Sequence, residues 1–289
     1  SESASQRLLL ERGDVDMARD LNPEDIAGAR GASGINIHDE LRGRLMYLAF
    51  SQKHPELSKP EVRQAMKYLV DYQGMQDSFL SGQYVIHQNF LPRTFLGAVD
   101  ENPFSLNVAK AKELLKAAGV PEGLELKAGV REAQERIEIA QTFQNALAQV
   151  GIKLNITVGT AKQILGEYRA RNLDVYIGAW GPDYPDPHTN AGTFAFNPDN
   201  SDAANATGLL AWRNSWNTNG LTEKVAAAVI ENDRDVRQKM YSDIQAEFRD
   251  SSPFAVMFQK IEQAAMRDNV KNVNLGGATT AVSYWPITK

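Results

Sequence analysis

The sequence contains no cysteine, no clustered run of basic residues and no long apolar segment. The lack of cysteine excludes disulfides, thiolate metal sites and cysteine nucleophiles. The net charge of −5 and the pI of about 5.5 argue against nucleic acid as a partner, because a phosphate backbone is bound by clustered Lys and Arg. No apolar stretch approaches the roughly 18 to 20 residues that a membrane-spanning helix needs. With 43% hydrophobic and 23% charged residues over 289 positions, the composition is that of an ordinary soluble protein of one or two domains.

Common catalytic and nucleotide-binding motifs are missing as well. The sequence has no GxGxxG between a strand and a helix, no GxxxxGK(S/T), no GxSxG and no HExxH. The four histidines lie far apart in the sequence, and we interpret them as solvated or capped side chains: His38, His54, His87 and His188. We therefore expect no metal, no cofactor and no enzymatic activity. The chain begins without Met and shows no signal peptide, so we expect that a signal was removed or that the chain was cut from a longer protein.

The most informative stretch runs from Leu173 to His188 and reads LDVYIGAWGPDYPDPH. Its first half, 173–180, has the β-branched and aromatic content of a buried strand. Its second half holds three prolines, which remove backbone donors and fix φ, so the strand ends at Trp180 and a stiff loop follows. This loop carries four polar or aromatic side chains: Asp183, Tyr184, Asp186 and His188. Because ligands of open α/β sheets lie beyond the carboxyl ends of strands, the loop is a candidate binding site; the alternative is a rigid surface turn with solvated acids.

Residues 107–180 alternate between predicted helices and strands, in the order helix, strand, helix, strand, helix, strand. Helices of this length between strands indicate crossover connections and an α/β fold with a largely parallel sheet. Two more buried strands are predicted outside this block, at 45–50 and 253–258. Short strands are expected at three further places: 35–38, 270–275 and 282–287.

Two further groups of residues are candidates for a ligand site. Arg131 follows a predicted strand in the same parallel block and could clamp a carboxylate, with a surface salt bridge to Glu132 or Glu135 as the alternative. Trp212 and Trp216 stand in an irregular polar segment, where they could line an apolar pocket or cap the core.

The two acids of the proline-rich loop suit binding better than catalysis. A glycoside hydrolase needs two carboxyls about 5 to 9 Å apart on opposite sides of the scissile bond. Asp183 and Asp186 are separated by only two residues of one loop, and such a pair seldom straddles a substrate. A single carboxylate more simply pairs with a ligand cation beside an aromatic ring.

Six segments occur along the chain in the same order as motifs of a known family. They are GDVDMA (13–18), YLAFSQKHPELSKPEVRQAMKYLVD (47–71), NVAKAKELLKAAG (107–119), FQNALAQVGIKLNI (143–156), WGPDYPDP (180–187) and RQKMYSDIQAEFRDSSPFAVMF (237–258). The second resembles Y-L-x-F-N…P…D-x-x-V-R-Q-A-L-x-x-A-I-D and the fifth resembles W-x-x-D-Y-x-D-P, both of the family 5 extracytoplasmic solute-binding proteins. These are the oligopeptide-, dipeptide- and nickel-binding receptors of ABC importers. One departure is Ser51, where the family motif has Asn.

The resemblance implies an α/β fold of the periplasmic-binding-protein type (type II, cluster C), with a mostly parallel sheet in its second lobe. Family members are longer, and this chain is similar to their C-terminal half only. The implied division is a first-lobe fragment at 1–46, the second ligand-binding lobe at 47–259 between two hinge strands, and a C-terminal fragment of the first lobe at 260–289.

The resemblance also implies a receptor and not an enzyme. It implies a periplasmic or extracytoplasmic monomer that captures a short peptide between two lobes and delivers it to ABC permease subunits, its only link to the membrane. In peptide-binding members the Asp of W-x-x-D pairs with the peptide α-ammonium; this Asp matches Asp183, and Trp180 and Tyr184 are its expected neighbours. Arg131 stands where some members hold the ligand carboxylate, and Trp212 is expected in the same site. The alternative ligands are an oligosaccharide, an opine or a nickel chelate, and a glycoside hydrolase is the less favoured class.

Overall fold

A single sheet runs through the chain. The structure is a computed structural model that describes residues 2–218, 220–276 and 282–289. The seven strands found in these ranges are β1 (Met17–Arg19), β2 (Ile35–Phe50), β3 (Tyr84–Ile86), β4 (Glu125–Arg131), β5 (Lys153–Gly159), β6 (Val175–Trp180) and β7 (Phe254–Arg267).

Helices pack on both faces of this sheet. In the described ranges they are α1 (Ser3–Arg12), α2 (Pro23–Arg30), α3 (Pro60–Tyr68), α4 (Tyr72–Asp77), α5 (Val108–Ala117), α6 (Gln134–Ala148), α7 (Ala161–Arg169), α8 (Pro187–Phe194), α9 (Leu210–Arg213), α10 (Leu221–Ile230) and α11 (Arg234–Ser251), with a 3₁₀ turn at Asp202–Ala204. Local sequence sets several of their ends. Asn107 begins α5 by accepting a hydrogen bond from the N–H of Lys110 at 2.9 Å, and Thr160 and Gln163 form a capping box at the start of α7.

The sheet is mixed rather than mostly parallel, which corrects one part of the fold prediction. In spatial order the strands are β1-β7-β2-β6-β4-β5, and β3 pairs with β7. β4 is parallel to β5 and to β6, because the crossover helices α6 and α7 return the chain to the same end of the sheet. β2 is antiparallel to β6 and β7, and β1 and β3 are antiparallel to β7. The α/β class is confirmed, and the parallel arrangement is limited to the block in which helices and strands alternate.

β2 and β7 are much longer than predicted and form the central pair of the sheet. The strands expected at 35–38 and 45–50 are one continuous strand of 16 residues. The strand expected at 253–258 continues to Arg267 and has 14 residues. Polar side chains interrupt the apolar pattern in the middle of both strands, so each reads as a shorter element in the sequence.

These polar side chains find partners on neighbouring strands. Gln263 Nε2 donates to Asp39 Oδ1 at 2.7 Å, and Glu262 accepts from Arg19 Nη2 at 2.6 Å. The β2–β7 register shifts between Leu41 and Leu45 and again just after that point. From 35 to 44, β2 pairs with β7 alone among the described residues, because its pairing with β6 begins at Leu45.

The side chains of β2 alternate between two separate hydrophobic cores. One face contributes the side chains that pack with α3, α5 and α6: Met46, Leu48 and Phe50. The other contributes those that pack with α8, α10 and α11: Leu45, Tyr47 and Ala49. A third, smaller cluster joins α1, α2 and the start of β2 to Ala265 of β7. The centre of β2 is therefore sandwiched between helical layers, whereas its amino-terminal end belongs to a different core.

The strands predicted near the C-terminus do not form ladders in the described ranges. At 270–275 and 282–287 the structure has two isolated bridges instead, Lys271 with Thr288 and Asn274 with Ser283. Both segments alternate in sequence, but neither lies alongside another strand over its full length. Alternation therefore does not by itself produce a strand, because a strand also needs a neighbour to pair with.

Gly178 of β6 lies where two tyrosine rings converge. A Cβ at this position would lie 2.6 Å from Cε1 of Tyr176 and closer still to the ring of Tyr47. Both rings are buried, so neither can move aside freely. We expect Gly178→Ala to lower the free energy of unfolding by about 1–3 kcal/mol in urea denaturation. The control is Gly166→Ala in α7, where a Cβ meets nothing within 4 Å; an equal loss in both variants would contradict the packing described.

His87, which follows β3, is a buried histidine that the fold keeps neutral. Its ring is inaccessible, and Nε2 lies 2.6 Å from the Leu91 carbonyl oxygen. Burial lowers the pKa of His87 from 6.5 to about 4, although the hydrogen bond to Leu91 acts in the opposite direction. The unfolded chain thus takes up this proton at a higher pH than the folded chain. The stability due to neutral His87 is complete above pH 6.5 and is lost as the pH falls toward 4.

We expect His87→Gln to weaken the pH dependence of stability in this window. The free energy of unfolding of the unmodified protein should fall by up to about 3 kcal/mol more than that of the variant between neutral pH and pH 4. Guanidinium denaturation at a series of pH values measures this difference. Parallel curves for His87→Gln and the unmodified protein would show that His87 does not titrate in this way.

Candidate functional site

The stretch 173–188 folds as a strand, a short loop and the first turn of a helix. β6 ends at Trp180, as predicted. α8 already begins at Pro187, so the loop is shorter than the one expected to carry His188. Asp186 is the N-cap of α8: its carboxylate accepts from the N–H of His188 at 2.8 Å, and Pro187 occupies the first helical position. Asp186-Pro187 is a helix-start signal, and the sequence-based prediction of a continuous loop to His188 does not take it into account.

Asp186 is also held by an arginine of another helix. Arg237 of α11 donates from Nη1 to Oδ2 and from Nη2 to Oδ1, each at 2.9 Å. Partial burial favours the neutral acid, but the hydrogen bonds from Arg237 and from the N–H of His188 outweigh it and lower the pKa of Asp186. Both carboxylate oxygens are thus engaged, and the bidentate pair fastens the loop to α11.

Asp183 has no such partner. Its side chain is exposed, and none of the residues that the structure describes forms an ion pair or hydrogen bond with its carboxylate. Its backbone N–H donates to Thr189 Oγ1 at 3.2 Å, which ties the loop to the first turns of α8. The loop therefore holds Asp183 in place through the backbone and leaves its charge available.

Aromatic side chains stand on either side of Asp183 in the chain. Trp180 is half-buried and packs edge-to-face on Phe194, with ring centroids 6.5 Å apart. The Nε1 of Trp180 is buried and has no hydrogen-bond partner in the described part of the chain. Tyr184 is 45% exposed. An exposed ring beside a free carboxylate is a suitable surrounding for a ligand cation.

Arg131 lies at the same edge of the sheet. It is the last residue of β4, and β4 is the parallel neighbour of β6, with Gly129 opposite Tyr176. The carboxyl ends of the two strands therefore meet at one edge. The Arg131 side chain is half-buried, and the surface salt bridge considered as its alternative role is not formed among the described residues. This edge thus carries both an unpaired guanidinium and, through Asp183, an unpaired carboxylate.

Trp212 was expected in the same site but lies elsewhere, which corrects the prediction. It is 4% exposed, its Nε1 donates to the Ser201 carbonyl oxygen at 2.9 Å, and the Arg171 guanidinium stacks 3.6 Å from its ring centre. Arg171 precedes β6, so Trp212 lies near the amino end of that strand, opposite to Trp180. Trp216 is buried in the core as well. Both tryptophans pack against residues distant in sequence, which the local pattern does not reveal.

Two arginines that no sequence pattern marks lie near Arg131. Arg44 directly precedes Leu45, which pairs with Trp180 of β6. Arg136 is in the first turn of α6 and is 3% exposed. Burial lowers the pKa of Arg136, and the charges of Arg131 and Arg44 lower it further. The charges of Arg131 and Arg44 are therefore close enough to act on Arg136.

Neither a metal site nor a membrane span is evident in the described ranges. They contain no group of three or more His, Asp or Glu side chains placed to hold a metal ion. None of their helices is both long enough and apolar enough to cross a bilayer.

A free carboxylate, a free guanidinium and an exposed aromatic ring at the carboxyl edge of an α/β sheet are features of a protein that binds small solutes. Residues 1–202 match the family described as bacterial extracellular solute-binding proteins, family 5 Middle. The chain belongs to this family, as its motifs predicted. The family's extracellular character agrees with the extracytoplasmic location expected from the sequence.

Individual relatives and solved structures match most of the chain but extend well beyond it. The chain is 26% identical over 273 residues to the "Probable D,D-dipeptide-binding periplasmic protein DdpA" of Escherichia coli, covering 93% of this chain and 51% of the relative. It superposes on HbpA2 from Haemophilus parasuis with a TM-score of 0.86, at 21% identity, covering 99% of this chain and 56% of that one. For DppA from Helicobacter pylori in complex with the peptide STSA, the TM-score is 0.83 at 19% identity, with 99% and 55% covered. The chain thus spans about half the length of the curated relatives it matches.

The two acids of the loop should respond differently to removal of their charge. Asp186→Asn keeps an N-cap but breaks the bidentate pair with Arg237, so we expect it to lower the free energy of unfolding by about 1–2 kcal/mol at neutral pH. Asp183→Asn should change stability by less than about 0.5 kcal/mol, because the carboxylate has no partner to lose. Urea denaturation of both variants measures the contrast.

The pH dependence provides a further check on the same pair. The pKa of Asp186 is lowered in the folded chain, so its contribution to stability is present above its ordinary pKa of 3.8 and is lost as the pH falls below that value. The difference between the unmodified protein and Asp186→Asn should therefore shrink in acid. A difference that stays constant from neutral pH down to pH 3 would argue against the ion pair as its source.

Proposed function

We propose that this chain is the ligand-binding half of the substrate-binding component of an ABC importer, and that its ligand is a short peptide. The observation that carries the proposal is the unpaired carboxylate of Asp183 at the carboxyl end of β6, between Trp180 and Tyr184. Membership of the solute-binding family and the peptide-binding names of several relatives support it.

In this proposal Asp183 holds the α-ammonium group of the peptide. An ammonium–carboxylate contact is a charge-assisted hydrogen bond, and it strengthens when closure of a cleft removes water around it. The exposed ring of Tyr184 offers the ammonium an aromatic face or edge. Asp186 is not a candidate for this role, because Arg237 already occupies both of its oxygens.

Arg131 holds the carboxylate at the other end of the peptide. A guanidinium binds a carboxylate through two parallel hydrogen bonds, which fixes orientation as well as charge. β4 and β6 are adjacent strands, about 5 Å apart. An extended peptide advances at most about 3.6 Å per residue, so anchors on adjacent strands favour a ligand of a few residues.

We further propose the division into lobes expected from the sequence. Residues 47–259 form the second ligand-binding lobe, and 1–46 and 260–289 belong to the first, with β2 and β7 crossing between them. The register shifts near residue 45 and the separate hydrophobic cluster around α1 and α2 support a boundary there. The opposite wall of the cleft would come from polypeptide outside these 289 residues. Closure about the two crossing strands would bury the peptide and present the closed, monomeric receptor to the permease subunits.

Another small solute is the alternative ligand. The same pair of charges would hold an opine or a nickel chelate, and the aromatic rings would suit an oligosaccharide. A glycoside hydrolase is disfavoured because the second acid of the loop is bound to Arg237, which leaves Asp183 without a carboxylate partner in the loop.

Calorimetry of the full-length receptor that contains this chain, with a panel of dipeptides to pentapeptides, tests the proposal. We expect Asp183→Asn to weaken peptide binding at least about tenfold, because a buried ammonium would lose its counter-charge. Asp14→Asn, an exposed acid outside the proposed second lobe, is the control and should bind as the unmodified receptor does. Unchanged affinity in Asp183→Asn would remove its role as the ammonium anchor. Binding of an oligosaccharide but of no peptide would replace the ligand class.

A further inference from the structure

Arg44, Arg131 and Arg136 come from three separate elements and converge on one part of the sheet edge. Arg131 ends β4, and Arg136 lies one turn into α6, which follows it. Arg44 is next to Leu45, the first residue of β2 that pairs with β6. β2 and β4 flank β6 and are two strand spacings apart, roughly 10 Å, and Arg44 lies about three residues further along β6 than Arg131. We call these three residues the arginine cluster.

No member of the arginine cluster has an ion-pair or side-chain hydrogen-bond partner in the ranges that the structure describes. This is unusual for Arg136, whose side chain is buried and whose Nη1 has no acceptor. A buried guanidinium without a counter-charge is costly, and proteins normally pair or solvate it. Arg171, another buried arginine, has such partners: it bonds to Asn200, Asp202 and the Trp212 carbonyl oxygen.

Two neighbouring features add to the positive potential of the arginine cluster. The first turn of α6, a helix of 15 residues, has no side-chain cap, because Ala133 stands at its N-cap position. The amino end of a helix carries a partial positive charge and favours an anion. Against this stands one acid, Glu135, whose charge acts on Arg136 without a hydrogen bond or ion pair to it in the described residues.

A break in the β2–β7 ladder fixes the position of the Arg44 backbone. Between Leu41 and Leu45 the register of β2 against β7 shifts, so the segment bearing Arg44 is not part of the regular ladder. Gln259, which is fully buried, holds this segment: its Nε2 donates to the Arg42 carbonyl oxygen at 2.8 Å, and its Oε1 accepts from the N–H of Arg93 at 3.0 Å. The bulge and its hydrogen bond to Gln259 therefore fix the backbone of the segment that carries Arg44.

The net charge at this edge of the sheet indicates which charge a ligand needs to neutralise it. Three guanidinium groups stand against the carboxylates of Glu135 and Asp183, which leaves an excess of one positive charge besides the exposed Glu132. A peptide whose ammonium group binds Asp183 and whose terminal carboxylate binds Arg131 adds no net charge, so this excess remains. We propose that Arg44 and Arg136 form a subsite for a second acidic group next to that carboxylate, so that the receptor prefers peptides with a C-terminal Asp or Glu. This inference rests on the proposed function and names the substrate class of the same site.

Matched peptides that differ by one charge test the subsite. We expect the full-length receptor to bind Ala-Glu at least about tenfold more tightly than Ala-Gln in calorimetry, because a charge-assisted bond replaces a neutral one. Arg44→Gln and Arg136→Gln should each remove most of this preference, because each lowers the affinity for Ala-Glu more than the affinity for Ala-Gln. Arg44 is half-buried and lies outside the hydrophobic cores, so its variant serves if Arg136→Gln does not fold. Arg30→Gln, whose side chain pairs with Asp39 on the surface, is the control and should keep the preference.

A reverse substitution sharpens the test. Glu135→Gln removes the carboxylate that acts on Arg136, so it should increase the preference for Ala-Glu over Ala-Gln. Equal binding of Ala-Glu and Ala-Gln would overturn the subsite and leave the proposed function intact. A preference for Ala-Glu that survives in both Arg44→Gln and Arg136→Gln would also overturn it. If none of the peptides binds, the proposed function fails, and the subsite fails with it.

Discussion

The antiparallel pairing of β2 with β7 is the constraint on which the rest of the structure depends. β2 supplies side chains to both large cores, so its register decides which residues each core receives. A slip of one position would turn Tyr47 toward the core that now holds Met46. The same strand sets the register of β6, through pairs from Leu45–Trp180 to Phe50–Val175. The pairing with β2 at the centre of the sheet thus determines where β6 ends and where the loop after it begins.

That loop separates two tasks between two chemically identical side chains. Asp186 caps α8 and binds Arg237, so it contributes to structure. Asp183 has neither bond and presents its charge outward. The prolines and the bonds of Asp186 fix the loop, which would lower the entropy cost of the ligand binding that we propose at Asp183. Asp186 and the prolines therefore make the loop rigid, and Asp183 supplies the unpaired charge.

What could be predicted from the sequence was local. The end of β6 at Trp180 follows from the prolines after it, and the starts of α2 and α5 follow from Asn22 and Asn107, whose side chains cap them as expected. The choice of Asp183 over Asp186 required the family resemblance, because spacing alone treats the two acids alike. The resemblance also led to the family, which the comparison with known proteins established independently.

What could not be predicted depends on partners that are distant in sequence. The polar middle of β2 looks like a gap between two strands until Gln263 of β7 is placed beside Asp39. Trp212 looks like a pocket residue until the Arg171 guanidinium is found stacked on it. Arg136 is one charged residue in a polar helix start, and only the packed structure shows it to be buried. In each case the side chain's environment is made by the fold and has no trace in neighbouring residues.

Between Ile35 and Arg44, β2 pairs with β7 alone among the described residues, and the charges of this stretch bear on association wherever no other polypeptide covers it. An open strand edge is a template on which a strand of another copy can assemble, and long flat edges are sites of aggregation. Here the edge bears charges of both signs, including Asp39 and Arg44, and its ladder is broken by the shift before Leu45. An incoming strand would have to desolvate those charges and match an irregular register. The charged interruption that conceals β2 in the sequence therefore also opposes pairing of this stretch, where it is uncovered, with a strand of a second molecule.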